Sequence, residues 1–211
     1  MMPDDAHINK ARNLGHEIGL ELQRGQFPID RFRIMGSVAK ETAVKLHMDF
    51  DLVVYLNKVD GKIVEHEDAI ENFKEVLKKI NDYNIVIKGQ SAMALHVDVD
   101  EFDFDIVPAV NLSQHPTSQY QQILQIISKE TDRKMQAQLC SSLSEFQVKF
   151  VREQSYFTKH LILLAKCWML NVFLPSYIIG QSSLIELIAI KVAKIAQNNP
   201  NEAPSMSWAF R

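Results

Sequence analysis

The stretch that decides the reading runs from Gly36 to Leu56, GSVAKETAVKLHMDFDLVVYL, and is completed by EFDFDIVPAV at Glu101 to Val110. In both, carboxylates alternate with apolar residues and the pattern then turns continuously apolar, as in a strand that enters a core. Alternation puts Asp49 and Asp51 on one face, roughly 7 Å apart along the strand, with Phe50 and Leu52 on the other. Glu101, Asp103 and Asp105 share a face in the same way, backed by Phe102, Phe104 and Ile106. If the two strands are neighbours, three or more carboxylates crowd one patch, which is unfavourable unless a cation neutralises it. Hard oxygen ligands on rigid strands suit Mg²⁺, and a pair of such ions clamps the attacking and leaving oxygens of phosphoryl transfer. The plainer alternative is a solvated sheet face.

Gly36 and Ser37 lie where the preceding short extended run, Arg31 to Met35, breaks off. A glycine followed by serine at a strand end offers a phosphate backbone N–H groups and a hydroxyl with no Cβ in the way. Lys40 and Thr42 follow closely, but no G-x-x-x-x-G-K-[ST] loop occurs anywhere in the chain.

Farther out, residues 6–25 have a helical period, and residues 67–80 place Ile70, Phe73, Val76, Leu77 and Ile80 on one stripe, acidic early and basic late. Asp60-Gly61 marks a turn. Tyr83 to Lys88, Leu95 to Val99 and Phe102 to Val107 read as strands, the last stopped by Pro108. Beyond residue 117 helical patterns dominate, at 117–128, 144–151, 156–172 and 182–197. This predicts an α+β, two-lobed protein, with a sheet-and-helix lobe over residues 1–112 and a helical lobe over 113–211.

The 211 residues are 46% hydrophobic and 23% charged, with net charge −3, which fits a globular chain and excludes a uniformly basic nucleic-acid coater. Seven Gly and seven Pro exclude collagen-like and low-complexity classes. Cys140 and Cys167 are the only cysteines, so no disulfide framework and no cysteine-rich zinc site is expected. The acidic start, MMPDDAHINK, is unlike a signal peptide, and Glu186, Lys191 and Lys194 interrupt the most apolar late segment. No membrane association is expected, and the cytoplasm, with the nucleus second, is the expected location. The seven His are scattered without an H-x-x-x-H pair and read as surface or packing residues; no G-x-S-x-G elbow appears.

Together, the Gly-Ser, the D-x-D and the later Asp resemble the DNA polymerase β-like nucleotidyltransferases, and within them the 2′-5′-oligoadenylate synthetase branch, with cyclic GMP-AMP synthase related. LVVYL and FDIVPA match that branch, as do EFQVKFV (Glu145 to Val151), LILLAKCWML (Leu161 to Leu170) and LPSYIIGQSSLIELI (Leu174 to Ile188). The resemblance covers roughly residues 30 to 190. It implies that Asp49, Asp51 and Asp105 hold two Mg²⁺ and that Asp105 also activates the attacking sugar hydroxyl. Gly36 and Ser37 would contact the donor triphosphate, with Lys166 reaching it from the helical lobe and Lys40 and Gln147 as further contacts. A triphosphate needs cations on both sides to stabilise charge developing on pyrophosphate.

The implied activity is template-independent transfer from ATP to an oligoadenylate acceptor, forming 2′-5′ links, as in antiviral innate-immune signalling. Departures bear on specificity. Ser182 and Ser183 stand where the oligoadenylate branch has Gln-Tyr, with an aromatic that stacks on adenine; Ser-Ser is closer to cyclic GMP-AMP synthase, whose zinc-bearing insertion has no counterpart here. A cyclic-dinucleotide synthase, or a non-catalytic RNA sensor retaining the fold, are the competing readings. Of the residues that meet double-stranded RNA in that branch, Arg152 matches, whereas Ile34, Val148 and Phe157 replace basic residues. Arg24, Arg31, Arg33 and Lys149 are nearby in sequence. Weak or absent activation by double-stranded RNA is expected.

Overall fold

The computed structural model describes residues 4–45, 48–112, 120–172 and 181–197. Thirteen elements follow one another: α1 (Asp5–Arg24), β1 (Ile29–Ile34), α2 (Gly36–Ala39), β2 (Phe50–Leu56), α3 (His66–Leu77), β3 (Ile85–Gln90), β4 (Leu95–Val99), β5 (Phe102–Val110), α4 (Tyr120–Lys129), α5 (Arg133–Ser141), α6 (Ser144–Arg152), α7 (Tyr156–Val172) and α8 (Gln181–Gln197). Asp4 caps α1, its carboxylate accepting from the Ala6 amide. Glu67 and Asp68 sit at the positive end of α3 and Lys74 near its negative end, as the helix dipole favours.

The five strands form one mixed sheet in the order β1-β2-β5-β4-β3. β2 and β5 run parallel at its centre, and the other neighbours are antiparallel. Strand alternation splits this sheet chemically. Phe50, Leu52, Val54 and Leu56 of β2, and Phe102, Phe104 and Ile106 of β5, join Ala11, Leu14, Ile18 and Leu22 of α1 and Ile70, Phe73 and Leu77 of α3 in the main core. Burying each of the larger of these side chains contributes about 2 kcal/mol. Gly15 and Gly19 let α1 lie close on β1: a Cβ at Gly19 would meet the Phe32 ring at 2.3 Å. The opposite face carries a smaller apolar patch, Met35, Val53, Tyr55, Ala94, Val107 and Ala109, with Val148 of α6 against it. Asp51, Asp105 and His96 belong to that second face.

Two differences from the sequence expectations have local causes, and one expected helix is described only in part. β5 does not stop at Pro108 but continues to Val110, because its ladder with β4 ends at Leu95 opposite Ile106, leaving that side free of the bond proline cannot make. Helix α5 was not apparent in the sequence. It is capped by Asp132 and buries Leu139 beside polar Gln138 and Ser141, so its apolar stripe is weak. The expected helix over 117–128 is described from Tyr120 onward, as α4.

The expected lobe boundary at 112/113 adjoins residues 113–119, which lie outside the described residues. Ile123 and Ile127 of α4, Leu139 of α5 and Leu143 form one apolar cluster with Val110 at the end of β5. Val151, Leu161, Ile162, Ala189, Ile190 and Ala193 form another, joining α6, α7 and α8. Among the described residues no helix is long and apolar enough to cross a membrane.

Candidate active site

The register lines up one row of side chains across the sheet. Asp51 of β2 is paired with Asp105 of β5, and Asp105 is paired with His96 of β4. All three lie on the face away from α1 and α3. The near end of the row is closed by Gly36, which begins α2 at φ +64°. A Cβ there would stand 1.6 Å from Asp51 Oδ2, so the backbone after β1 touches the carboxylate. The Met35 amide, donating to the Asp51 carbonyl at 2.8 Å, fixes this approach.

Burial pushes the Asp51 carboxyl up to about 7, and the negative charges of Asp105 and Asp49 add to the rise, while Lys40 opposes it. The three carboxylates are therefore close enough to repel. Asp49, exposed just before β2, completes the group. Among the described residues no three His, Cys, Asp or Glu side chains close on a single ion position. The donor chemistry nonetheless suits a hard divalent cation, because crowded oxygen ligands are relieved by positive charge. Asp105 is turned partly aside: its Oδ1 lies 2.6 Å from His96 Nδ1.

The other two acidic residues of that stretch take no part in the row. Glu101 lies in the turn before β5 and pairs with Lys10 at 2.5 Å. Asp103 pairs with Lys88 at 3.3 Å. Alternation placed them on one face with Asp105, but the neighbouring side chain differs at each position: Lys10, Lys88 and His96.

Lys40 and Lys166 come together behind α2, in a setting the sequence did not disclose. Glu186 of α8 receives Lys40 Nζ at 2.8 Å and Lys166 Nζ at 2.6 Å. Lys166 also donates to the Thr42 carbonyl at 3.3 Å and hydroxyl at 3.2 Å, and the Thr42 hydroxyl donates to Glu186 at 3.2 Å. All four residues are buried. Burial alone would raise Glu186, but the charges of Lys166 and Lys40 overcome it and hold the carboxylate below its ordinary range. Burial lowers Lys166, against the pull of Glu186. One carboxylate thus serves two ammonium groups. Lys166 lies within a buried partner set.

The remaining expected contacts are spread more widely. Ser37 is half-buried on α2 beside Gly36; Gln147 is exposed on α6; Ser182 and Ser183 are exposed at the start of α8. Arg152 lies 3.4 Å from Glu41 and lines a groove of about 360 Å³ with Arg33, Met35, Glu145, Val148, Lys149 and Glu153. Arg31 stacks 4.1 Å from the Tyr55 ring centre and is bonded to Asp30, Glu145 and Asn111. His96, Thr42 and Glu186 were not singled out as site residues. Only for His96 was there a signal, since LHVDV alternates as the acidic strands do.

Similarity to known proteins follows this geometry. The chain is similar to CdnC of E. coli MS115-1 in its complex with HORMA-deltaN, with a TM-score of 0.58 and 18% identity over 98% of this chain and 62% of CdnC. The fold is that of a nucleotidyltransferase. Cid1 poly(U) polymerase with Mg 3′-dATP bound is also similar, at a TM-score of 0.54 and 16% identity over 89% of this chain and 50% of Cid1. In sequence, 95 residues are 33% identical to the CCA-adding enzyme of Sulfurisphaera tokodaii, taking in 43% of this chain and 22% of that enzyme. No protein-family model matches. The chain spans less than two thirds of each of these nucleotidyltransferases. These similarities show the nucleotidyltransferase fold and do not single out the oligoadenylate branch.

Proposed function

We propose that the chain transfers a nucleotidyl group from ATP to a ribose hydroxyl, without a template, and releases pyrophosphate. The observation that carries this reading is the pairing of Asp51 with Asp105 on parallel central strands, with the Gly36 backbone pressed against Asp51. A structure of CdnC with ATP, to which the chain is similar at a TM-score of 0.56, supports the choice of donor.

Asp49, Asp51 and Asp105 would hold Mg²⁺, which when bound neutralises the donor phosphates and the departing pyrophosphate. The chain's own groups do the rest. Ser37 orients the triphosphate through its hydroxyl, and the backbone at Gly36 lets phosphate approach without a side chain in the way. Asp105 accepts the proton of the attacking hydroxyl as the bond to the α-phosphorus forms. Lys40 and Lys166 hold positive charge beside Asp51. Direct contact with the triphosphate would require either lysine to exchange Glu186 for phosphate, a trade between two anionic partners.

For the product, the resemblance supports 2′-5′-linked oligoadenylate. A second reading, a cyclic dinucleotide, is favoured by exposed Ser182 and Ser183, which offer hydroxyls where the oligoadenylate branch stacks an aromatic ring. The test is incubation with each NTP and Mg²⁺, with and without double-stranded RNA, products being identified by mass and nuclease sensitivity. ATP-dependent pyrophosphate release that Asp105→Asn abolishes is the expected result. Release unchanged in that variant would overturn the mechanism. Susceptibility to 3′-5′-specific nuclease, and a free 5′ end, separate the product readings.

A further inference from the structure

We propose that His96 is a positioning residue for Asp105, clamping one carboxylate oxygen so that the other is presented beside Asp51; this rests on the nucleotidyl-transfer reading above. The geometry has three parts. His96 is the register partner of Asp105 on the adjacent antiparallel strand, and the two side chains stand on the same face. The Nδ1 to Oδ1 distance is 2.6 Å, the short range of a charge-assisted bond. A carboxylate only accepts, so Nδ1 carries the hydrogen.

Asp105 has a neighbour of opposite character on each side. On the β2 side stands Asp51, which repels it. On the β4 side stands His96, which attracts it. Repulsion by Asp51 and attraction by His96 act in the same direction, so Oδ1 is held on the β4 side and the carboxylate is fixed in one rotation; without the imidazole that rotation is no longer set. Beyond His96 the row ends at Gly89, its register partner on β3, where a Cβ would meet nothing within 4 Å. The clamp therefore comes from this one side chain. With Oδ1 held at His96, the second oxygen of Asp105 is kept at a defined position from which it can share a cation with Asp51.

A group that orients a metal-binding carboxylate typically changes metal affinity about 10-fold or more when removed. His96 is more than a third exposed in its side chain, at 37%, so its truncation leaves no cavity that would unfold the sheet. The variants are His96→Ala, which deletes the donor, and His96→Asn, whose amide N–H reaches nearly the same point as Nδ1. Mn²⁺ dissociation constants are measured by electron paramagnetic resonance on the full chain, with Asp51→Asn as the reference for loss of a ligand and melting temperatures recorded in parallel.

The expected result is Mn²⁺ binding about 10-fold weaker in His96→Ala and restored to within about threefold by His96→Asn, with melting temperatures unchanged. Equal Mn²⁺ affinity in wild type and His96→Ala overturns the proposal. So does equal weakening in both variants, which would make the imidazole a ligand in its own right, or a fall in melting temperature that accounts for the lost binding. If wild type binds no Mn²⁺ that Asp51→Asn removes, the underlying metal reading fails together with this one, and that outcome is distinct from the others.

Discussion

Oδ2 of Asp51 lies 1.6 Å from the point a Cβ at Gly36 would occupy, and the φ of Gly36 is +64°. The two residues are 15 apart in the chain, yet each constrains the other. A left-handed conformation costs a non-glycine residue about 1–2 kcal/mol before any clash. Here the clash falls on a carboxylate that the proposed reaction needs. Gly36→Ala is therefore expected to displace Asp51, lowering nucleotidyl transfer at least about 100-fold. Measured activity together with a thermal melt checks this. A variant that keeps its activity would show that the contact is incidental.

Asp51 also makes stability depend on pH. Its carboxyl moves from an ordinary 3.8 up to about 7, driven first by burial and then by Asp105 and Asp49. The folded state holds this proton more tightly than the unfolded chain. The stabilisation is thus complete below about pH 4, declines as pH rises, and is gone above about pH 7. Its ceiling is about 4 kcal/mol. Asp51→Asn should remove this component of the slope, melting higher than wild type at pH 8 while losing activity. Millimolar Mg²⁺ should raise the wild-type melt at pH 8 but leave the variant's unchanged. Parallel melting curves of wild type and variant from pH 4 to pH 8 would count against it.

Glu186 balances two buried lysines, and removing one member of such a set strands the rest. Glu186→Ala should cost about 3–5 kcal/mol, since Lys40 and Lys166 would be left buried without a counter-charge. Lys166→Ala should destabilise less, because Glu186 keeps Lys40. Because the Glu186 carboxyl is held below its ordinary range, its contribution is present above the unfolded carboxyl range and lost as pH falls through the lowered value. Chemical denaturation of both variants at neutral and acid pH is the check.

Double-stranded RNA should activate weakly or not at all. The groove that carries Arg33, Lys149 and Arg152 also carries Glu145 and Glu153, and Arg152 already faces Glu41. Arg31, a candidate to compensate, is tied to Asp30 and Glu145. Each missing phosphate contact flattens the dependence of binding on salt. A duplex titration over a salt series should show a shallow slope and turnover that does not rise. Steep salt dependence with strong activation would refute it.

Much of this site is already written in residues 36–56 and 101–110. The alternation of DFDLVVYL and EFDFDIV puts Asp49 and Asp51 on one side of their strand and Asp105 on one side of its own, with the aromatic neighbours opposite, because side-chain direction along a strand depends only on position. The helices α1, α3, α6, α7 and α8 are likewise declared by local apolar period, and α3 also by its terminal charge. Even Gly36 is marked, since a glycine at the end of a strand points to backbone that a side chain would obstruct.

What only the tertiary structure decided are the partners. Nothing in LHVDV says that His96 will meet Asp105 rather than Asp103; that choice belongs to the antiparallel register of β4 on β5, which is set by packing Val97 and Phe104 into the main core. Nothing in LILLAKCWML says that Lys166 will be buried against a glutamate 20 residues later and a threonine 124 residues earlier. A charged side chain is solvated by default, and only the approach of α7 and α8 to the segment after α2 removes that water and makes Glu186 obligatory. Local periodicity determines which way a residue faces; the energy of the site resides in what stands opposite it, and that is a property of the folded chain.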